Sequence, residues 1–207
     1  MDCLIIFAKA PVPGRVKTRL SPAFSAQQAC AIHWALVRSM LKRMNSLLPA
    51  MQLELHSDDC QHPAVVALTQ AFPSLVLKNQ RGQCLGERMS AAFNGACEHF
   101  DRVVLCGSDS LAFTAKHVQH MTQRLDSCDV VFTPVTDGGY IAVGARRSED
   151  VSKLFRNIDW GSSSVMSQTR ERAAEHGLTL DELKAVTDID TPADLETIDL
   201  ESLLAKQ

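Results

Sequence analysis

Short apolar runs alternate with stretches of helical period along this chain. Leu4 to Ala8 is continuous and apolar and ends in loop chemistry, as expected of a strand buried on both faces. From Ser25 the period changes. Ser25 and Gln28 fit a capping box, and Ala29, Ile32, Leu36, Met40 and Leu47 recur at helical spacing until Pro49. The alternation continues with strand-like MQLELH, a short helix in HPAVVALTQAF, strand-like LVLK and a helix from about Gly86 to Phe100. RVVLCG is a second buried-strand pattern that stops at Ser108, Asp109 and Ser110. A helix from Thr114 to Leu125 and the strand DVVFTP follow. Beyond TDGG the pattern predicts a strand in YIAVGA, a short helix in VSKLF and a longer helix in SSSVMSQTRERAAEHG, behind Trp160 and Gly161. A last helix is predicted in TPADLETIDLESLLA, with Thr191 as N-cap, Pro192 at the first helical position and Asp194 in the first turn.

Strands alternating with helices predict an α/β fold, Rossmann-like, whose mainly parallel sheet is flanked by helices on both faces. Ligands of such sheets collect outside the carboxyl ends of the strands, which singles out the loops after Ala8, Gly107 and Pro134. At 207 residues, with no internal repeat, low-complexity tract or linker, the chain is expected to be a single domain spanning 1–207.

Composition narrows the function. With 45% hydrophobic and 22% charged residues and a net charge of -3, no overall basic field invites nucleic acid. No apolar run approaches the roughly 20 residues needed to span a bilayer and no signal peptide is evident, so a cytoplasmic protein without membrane attachment is expected. Its seven cysteines lack a C-x-x-C pair, which fits reduced thiols rather than a disulfide framework or zinc site. The seven histidines likewise lack metal-ligand spacing. Homo-oligomerisation is left open.

Candidate chemistry sits in the three loops. After the first strand, Pro13 and Gly14 break the backbone, and Arg15, Lys17 and Arg19 recur at every second residue. In an extended loop all three could face one anionic ligand. The loop is not a P-loop, since Lys17-Thr18 only partly echoes that motif, and a solvated basic loop is the competing reading. Asp109 follows the second buried strand, Asp137 lies in TDGGY, and Asp188 and Asp190 lie in TDID. Carboxylates meeting across the sheet edge could hold Mg2+ or Mn2+ against a diphosphate, although Asp also forms turns and caps. Gly138-Gly139 reads either as a tight turn or as bare backbone that a ligand approaches. Trp160 reads as a core anchor or a pocket wall.

FAKAPVPGRVKTRL, LGERM, GSD, DGGY, LFRNIDWGSSSV and DIDTPADL together resemble a bacterial family of glycosyltransferase-like proteins, first known as a domain of unknown function. Some of its members resemble transferases assigned to arsenosugar biosynthesis. The resemblance implies a GT-A, nucleotide-diphospho-sugar transferase fold and a metal-dependent glycosyltransferase, whose partners are a nucleotide or nucleotide sugar and a small acceptor. It implies that Lys9, Pro13, Gly14, Arg15, Lys17 and Arg19 hold the nucleotide and its phosphates, and that Asp109 and Asp190 hold a divalent cation, Mg2+ or Mn2+. Gly138, Gly139, Tyr140 and Trp160 would line the sugar or acceptor side, with Asp137 as the base. The wider superfamily includes nucleotidyltransferases, so pyrophosphate-releasing nucleotidyl transfer is the alternative, and nucleotide binding without turnover a third reading. The chain departs from the family pattern at Leu111 and Ala112, where a proline and an acid are usual, and at Gln83 and Cys84, where a glycine and an acid are usual.

Overall fold

The computed structural model describes residues 1–147 and 150–205. Seven strands, β1 (Asp2–Ala8), β2 (Met51–Ser57), β3 (Val76–Asn79), β4 (Arg102–Gly107), β5 (Val130–Pro134), β6 (Tyr140–Arg146) and β7 (Leu180–Glu182), form one sheet in the order β3-β2-β1-β4-β6-β5-β7. All pairings are parallel except those of β6, which runs antiparallel to both β4 and β5. The helices are α1 (Ala26–Met44), α2 (Pro63–Ala71), α3 (Leu85–Cys97), α4 (Ala115–Arg124), α5 (Val165–Glu175) and α6 (Leu200–Ala205). The chain winds outward from β1 to β3 and then returns to lay β4 on the other side of β1. At such a switch point the loops leaving two neighbouring strands diverge and leave a crevice.

β1 explains why LIIFA shows no alternation. Its side chains serve two cores. Leu4, Ile6 and Ala8 pack with Val37, Met40 and Leu41 of α1 and Val118 and Met121 of α4. Cys3, Ile5 and Phe7 pack with Met89 and Phe93 of α3 and with Leu154 and Phe155. A strand covered on both faces must be apolar throughout. Helix α1 begins where the capping box places it, with Ser25 Oγ accepting from the Gln28 amide and Gln28 Oε1 accepting from the Ser25 amide.

A third cluster ties the two ends of the chain together. Leu20, at the end of the basic loop, packs with Ala29, Ile32 and Leu36 of α1 and with Ile189 and Leu195 from the C-terminal DIDTPADL. Residues far apart in sequence are thereby joined above the crevice.

Several elements differ from the sequence expectation. The helix expected to run to Phe100 ends at Cys97, because the chain turns there to let the Asp101 amide reach the Met1 carbonyl as β4 begins. VSKLF forms a 3-10 turn, Val151–Phe155. The last helix divides into a 3-10 turn, Pro192–Leu195, capped by Thr191 with Asp194 as expected, and α6, where Asp199 accepts from the Ser202 amide and starts a second helix. Strand β7 was not expected from the pattern at all: its three residues are half-buried and two are acidic. All seven cysteines are unpaired, and among the described residues no helix is long and apolar enough to cross a membrane.

Gly86, in the first turn of α3, allows close packing near the crevice. A Cβ there would lie 2.3 Å from the Phe155 carbonyl oxygen and 3.0 Å from Trp160 Nε1. We expect Gly86→Ala to cost about 1–3 kcal/mol, the usual range for overpacking, as a lowered midpoint in urea unfolding. An unchanged midpoint would mean that the Val151–Phe155 turn yields freely.

Candidate functional site

The crevice above β1 and β4 is built around one ammonium group. Lys17 adopts a left-handed backbone, with φ 48° and ψ 39°, just before the 3-10 turn Thr18–Leu20. A non-glycine residue rarely holds this conformation without compensation. The compensation is the side chain, which is only 4% exposed and places Nζ 3.0 Å from Asp190 Oδ1 and 3.1 Å from Asp109 Oδ2, with the Ile189 carbonyl as a third, very close acceptor. Two of the ammonium N–H groups bond to the Ile189 carbonyl and Asp190, and its charge also pairs with Asp109. Arg19 adds a bond to the other oxygen of Asp190, at 3.0 Å.

The frame around this centre comes partly from residues with no conspicuous motif. The Asp109 carbonyl accepts from the Ile189 amide at 2.9 Å, and Ser110 Oγ donates to the Thr187 carbonyl at 2.6 Å, stitching the loop after β4 to TDID. Arg43 of α1 holds the Ser110 carbonyl at 2.8 Å. Asp58 accepts from the Ala10 amide at 2.7 Å and fixes the start of the basic loop. His33, buried in α1, donates Nε2–H to the Lys9 carbonyl at 2.9 Å. Burial lowers its pKa and keeps the ring neutral.

Two compartments meet at Asp109 and Asp190. One, of 410 Å³, is lined by Lys9, Arg15, Lys17, Arg19 and His33. The other, of 320 Å³, is lined by Asp137, Asp188, Tyr140 and Trp160 over an apolar floor that includes Met89 and Ile141. Phe7, Leu85 and Gly107 border both. Lys9 and Arg15 are exposed and make no internal ion pair among the described residues. Asp188 is half-buried, and its carboxyl is pushed above its ordinary value, first by burial and then by the charges of Asp137 and Asp190.

The structure thus brings the expected residues to one cleft but alters the roles of some. Arg15, Lys17 and Arg19 do not lie along an extended strand facing one ligand. The loop coils, and Lys17 turns inward to the carboxylates. Pro13 and Gly14 are exposed, and Gly14 supplies a positive φ of 79° at the turn. Gly138 is needed because a Cβ would lie 2.1 Å from the Ser163 carbonyl oxygen, so the backbone that approaches it is the chain's own. Gly139 lines the acidic compartment, and its amide donates to Asp137 Oδ1 at 3.0 Å, which makes Asp137 a turn former as well as a pocket carboxylate. Tyr140 lines the acidic compartment, and its hydroxyl is buried. The ring meets Phe132 and Trp160 edge-on at 4.8 and 6.3 Å. Leu111 packs against the third cluster and Ala112 is exposed, while Gln83 and Cys84 are exposed at the start of α3.

A divalent cation fits this donor set in a specific sense. Asp109 and Asp190 already converge on a cation, and hard carboxylate oxygens suit Mg2+ or Mn2+. No three Asp, Glu, His or Cys side chains gather as a shell among the described residues.

The family model described as "Uncharacterized protein conserved in bacteria (DUF2064)" matches residues 44–162. The chain belongs to this family. No curated protein matches it. Among solved structures, this DUF2064 protein is similar to a candidate nucleotide-diphospho-sugar transferase from Desulfovibrio desulfuricans G20, with 27% identity over 99% of this chain and 94% of the other, and a TM-score of 0.85. The fold is also that of an inositol-1-phosphate CTP transferase from T. maritima, with a TM-score of 0.57, 12% identity, and 98% and 94% of the two chains covered. It is likewise that of a bifunctional IspDF from Campylobacter jejuni, with a TM-score of 0.62, 13% identity, and 96% of this chain and 54% of that one covered. The GT-A-like α/β architecture is therefore the fold of this protein.

Two variants test the electrostatics. Lys17→Met leaves two half-exposed carboxylates without their shared cation and should cost about 1–3 kcal/mol in urea unfolding. Adding Asp190→Asn should recover part of that loss, and strict additivity would disprove the coupling. For Asp188, the folded pKa lies above the ordinary 3.8, so the native state binds more protons than the unfolded state just above that pH, and stability falls as pH rises through the window. Asp188→Asn should therefore raise the melting temperature at pH 7, with the gain shrinking as pH falls toward 4. An equal gain at both pH values would point to packing instead.

Proposed function

We propose that the protein is a metal-dependent glycosyltransferase that moves a sugar from a nucleotide-diphospho-sugar to a hydroxyl of a small acceptor. The observation that carries this reading is the meeting of a cationic and an acidic, aromatic-walled compartment at Asp109 and Asp190. A diphosphate belongs on the side of Lys9 and Arg15, whose charges have no ion-pair partner among the described residues. Sugar and acceptor belong beside Asp137 and Asp188, where carboxylates accept hydroxyl hydrogens and the faces of Tyr140 and Trp160 cover apolar ring surface. The likeness to the Desulfovibrio desulfuricans protein supports the same assignment.

Asp109 and Asp190 would hold Mg2+ or Mn2+, which when bound would neutralise charge on the leaving diphosphate. Arg15 and Arg19 add fixed positive charge on the same side of the bond being broken. Lys17 already bonds to the Ile189 carbonyl and Asp190 and pairs with Asp109, so a phosphate oxygen approaching it would compete with these partners. Asp137 keeps Oδ1 on the Gly139 amide, so Oδ2 is the atom available to take a proton from the acceptor hydroxyl. The raised pKa of the neighbouring Asp188 makes it a second place to hold that proton.

Nucleotidyl transfer would use the same cations, and the fold is shared with proteins of that activity. A thermal-shift panel of nucleoside di- and triphosphates and sugar nucleotides, with and without Mn2+, separates the readings. A sugar nucleotide should give the largest shift and need Mn2+, whereas preference for a triphosphate would favour nucleotidyl transfer. With an acceptor in hand, Asp137→Asn should keep donor binding and lower turnover by roughly a hundredfold. Wild-type turnover in that variant would leave Asp137 as a turn residue only.

A further inference from the structure

The sheet carries a second cavity that shares no lining residue with the cleft. On the face covered by α3, the helix sits over β1 and β4, and the flank of β2 and β3 beyond it is polar: Glu54 and His56 on β2 lie beside Val76 and Lys78 on β3 in register. Glu54 is only 2% exposed yet charged, because His56 Nε2 and Lys78 Nζ each lie 2.8 Å from one of its oxygens. Burial opposes ionisation, but these two bonds outweigh it and hold the carboxyl below its ordinary value. Both oxygens of Glu54 are thereby committed. Between this flank and α3 lies a trough of 460 Å³ lined by His56, Lys78, Arg81, Arg88 and small residues of α3, with no Asp or Glu on its wall among the described residues.

Charge in the trough is unbalanced. Arg88 bonds only to neutral oxygens, the Gly82 carbonyl at 3.1 Å and Gln80 Oε1 at 3.4 Å. Arg81 is exposed and has no partner among the described residues. Two guanidinium groups therefore face an open cavity in a protein whose net charge is -3. Gly95 adds an independent sign. It occupies a helix interior, where glycine is unfavourable, yet a Cβ there would meet nothing within 4 Å, so packing does not require it. What the missing side chain leaves open is the trough.

We propose that this trough is a second ligand site, selective for a small organic phosphate monoester, whose phosphate pairs with Arg81 and Arg88 while its body lies against Ala92 and Gly95. Guanidinium forks suit phosphate oxygens, and the volume exceeds that of a bare phosphate ion. The site stands or falls independently of the transfer reading.

The test is a titration of the 15N-labelled protein with ribose 5-phosphate, ribose and inorganic phosphate at constant ionic strength. The amides of Ala92 and Gly95 should move saturably with ribose 5-phosphate, more weakly with inorganic phosphate, and not with ribose. Arg81→Gln and, separately, Gly95→Leu should each weaken that response by about tenfold, with melting temperatures confirming that both variants fold. Either variant suffices if the other does not fold. Unmoved amides in the wild type, equal response to phosphate and sugar phosphate, or titrations indifferent to both variants would overturn the proposal.

Discussion

The Lys17 ammonium is the contact on which the rest of the cleft depends. It draws together three segments distant in sequence: the loop after β1, the end of β4 through Asp109, and the C-terminal TDID through Asp190 and the Ile189 carbonyl. Nearly buried, its charge needs opposite charge and acceptors close by, and the carboxylates could not converge without a cation between them. The cluster of Leu20 with Ile189 and Leu195 holds the same two segments by apolar contact. Charge sets their register, and burial supplies the adhesion.

That arrangement leaves the cleft polarised. Around the acidic compartment stand Asp109, Asp137, Asp188 and Asp190, of which Lys17 and Arg19 pair only with Asp109 and Asp190, and the pKa of Asp188 is raised first by burial and then by its carboxylate neighbours. On the other side Lys9 and Arg15 have no ion-pair partner among the described residues. The proposed donor, anionic at one end and rich in hydroxyls at the other, would satisfy both halves, and a divalent cation at the boundary would relieve the surplus of carboxylates.

Much of this was legible in the sequence because it follows from periodicity and turn chemistry. LIIFA and RVVLC are apolar throughout because both faces of β1 and β4 are covered, and the loops after them were expected on one edge, where they stand. Ser25-Gln28 and Thr191-Asp194 formed the caps their spacing announced. What stayed hidden depends on contacts across the chain. Nothing local distinguishes Lys17, which turns inward, from Arg15, which stays exposed, since the difference lies in a left-handed backbone and in Asp190 far along the sequence. Gly138 looked like room for a ligand because the Ser163 carbonyl that fills that space belongs to another segment. His33, Arg43 and Ser110 support the site through bonds to backbone carbonyls, and single-sequence patterns carry no sign of such bonds.

The two halves of the cleft are also held by different forces. The acidic half rests on packing: Gly138 against Ser163, the Met166 amide on the Gly138 carbonyl, and Tyr140 wedged between Phe132 and Trp160. Such contacts are steep and indifferent to charge. The basic half is a loop whose only regular structure is one 3-10 turn, and it is held by an ammonium, one arginine and Leu20. An incoming anion or cation would compete directly with the ion pairs that shape this half, whereas the packing contacts of the other do not depend on charge. Under the proposed function, charged ligands would be read where the geometry rests on ion pairs, and the uncharged acceptor where it rests on packing.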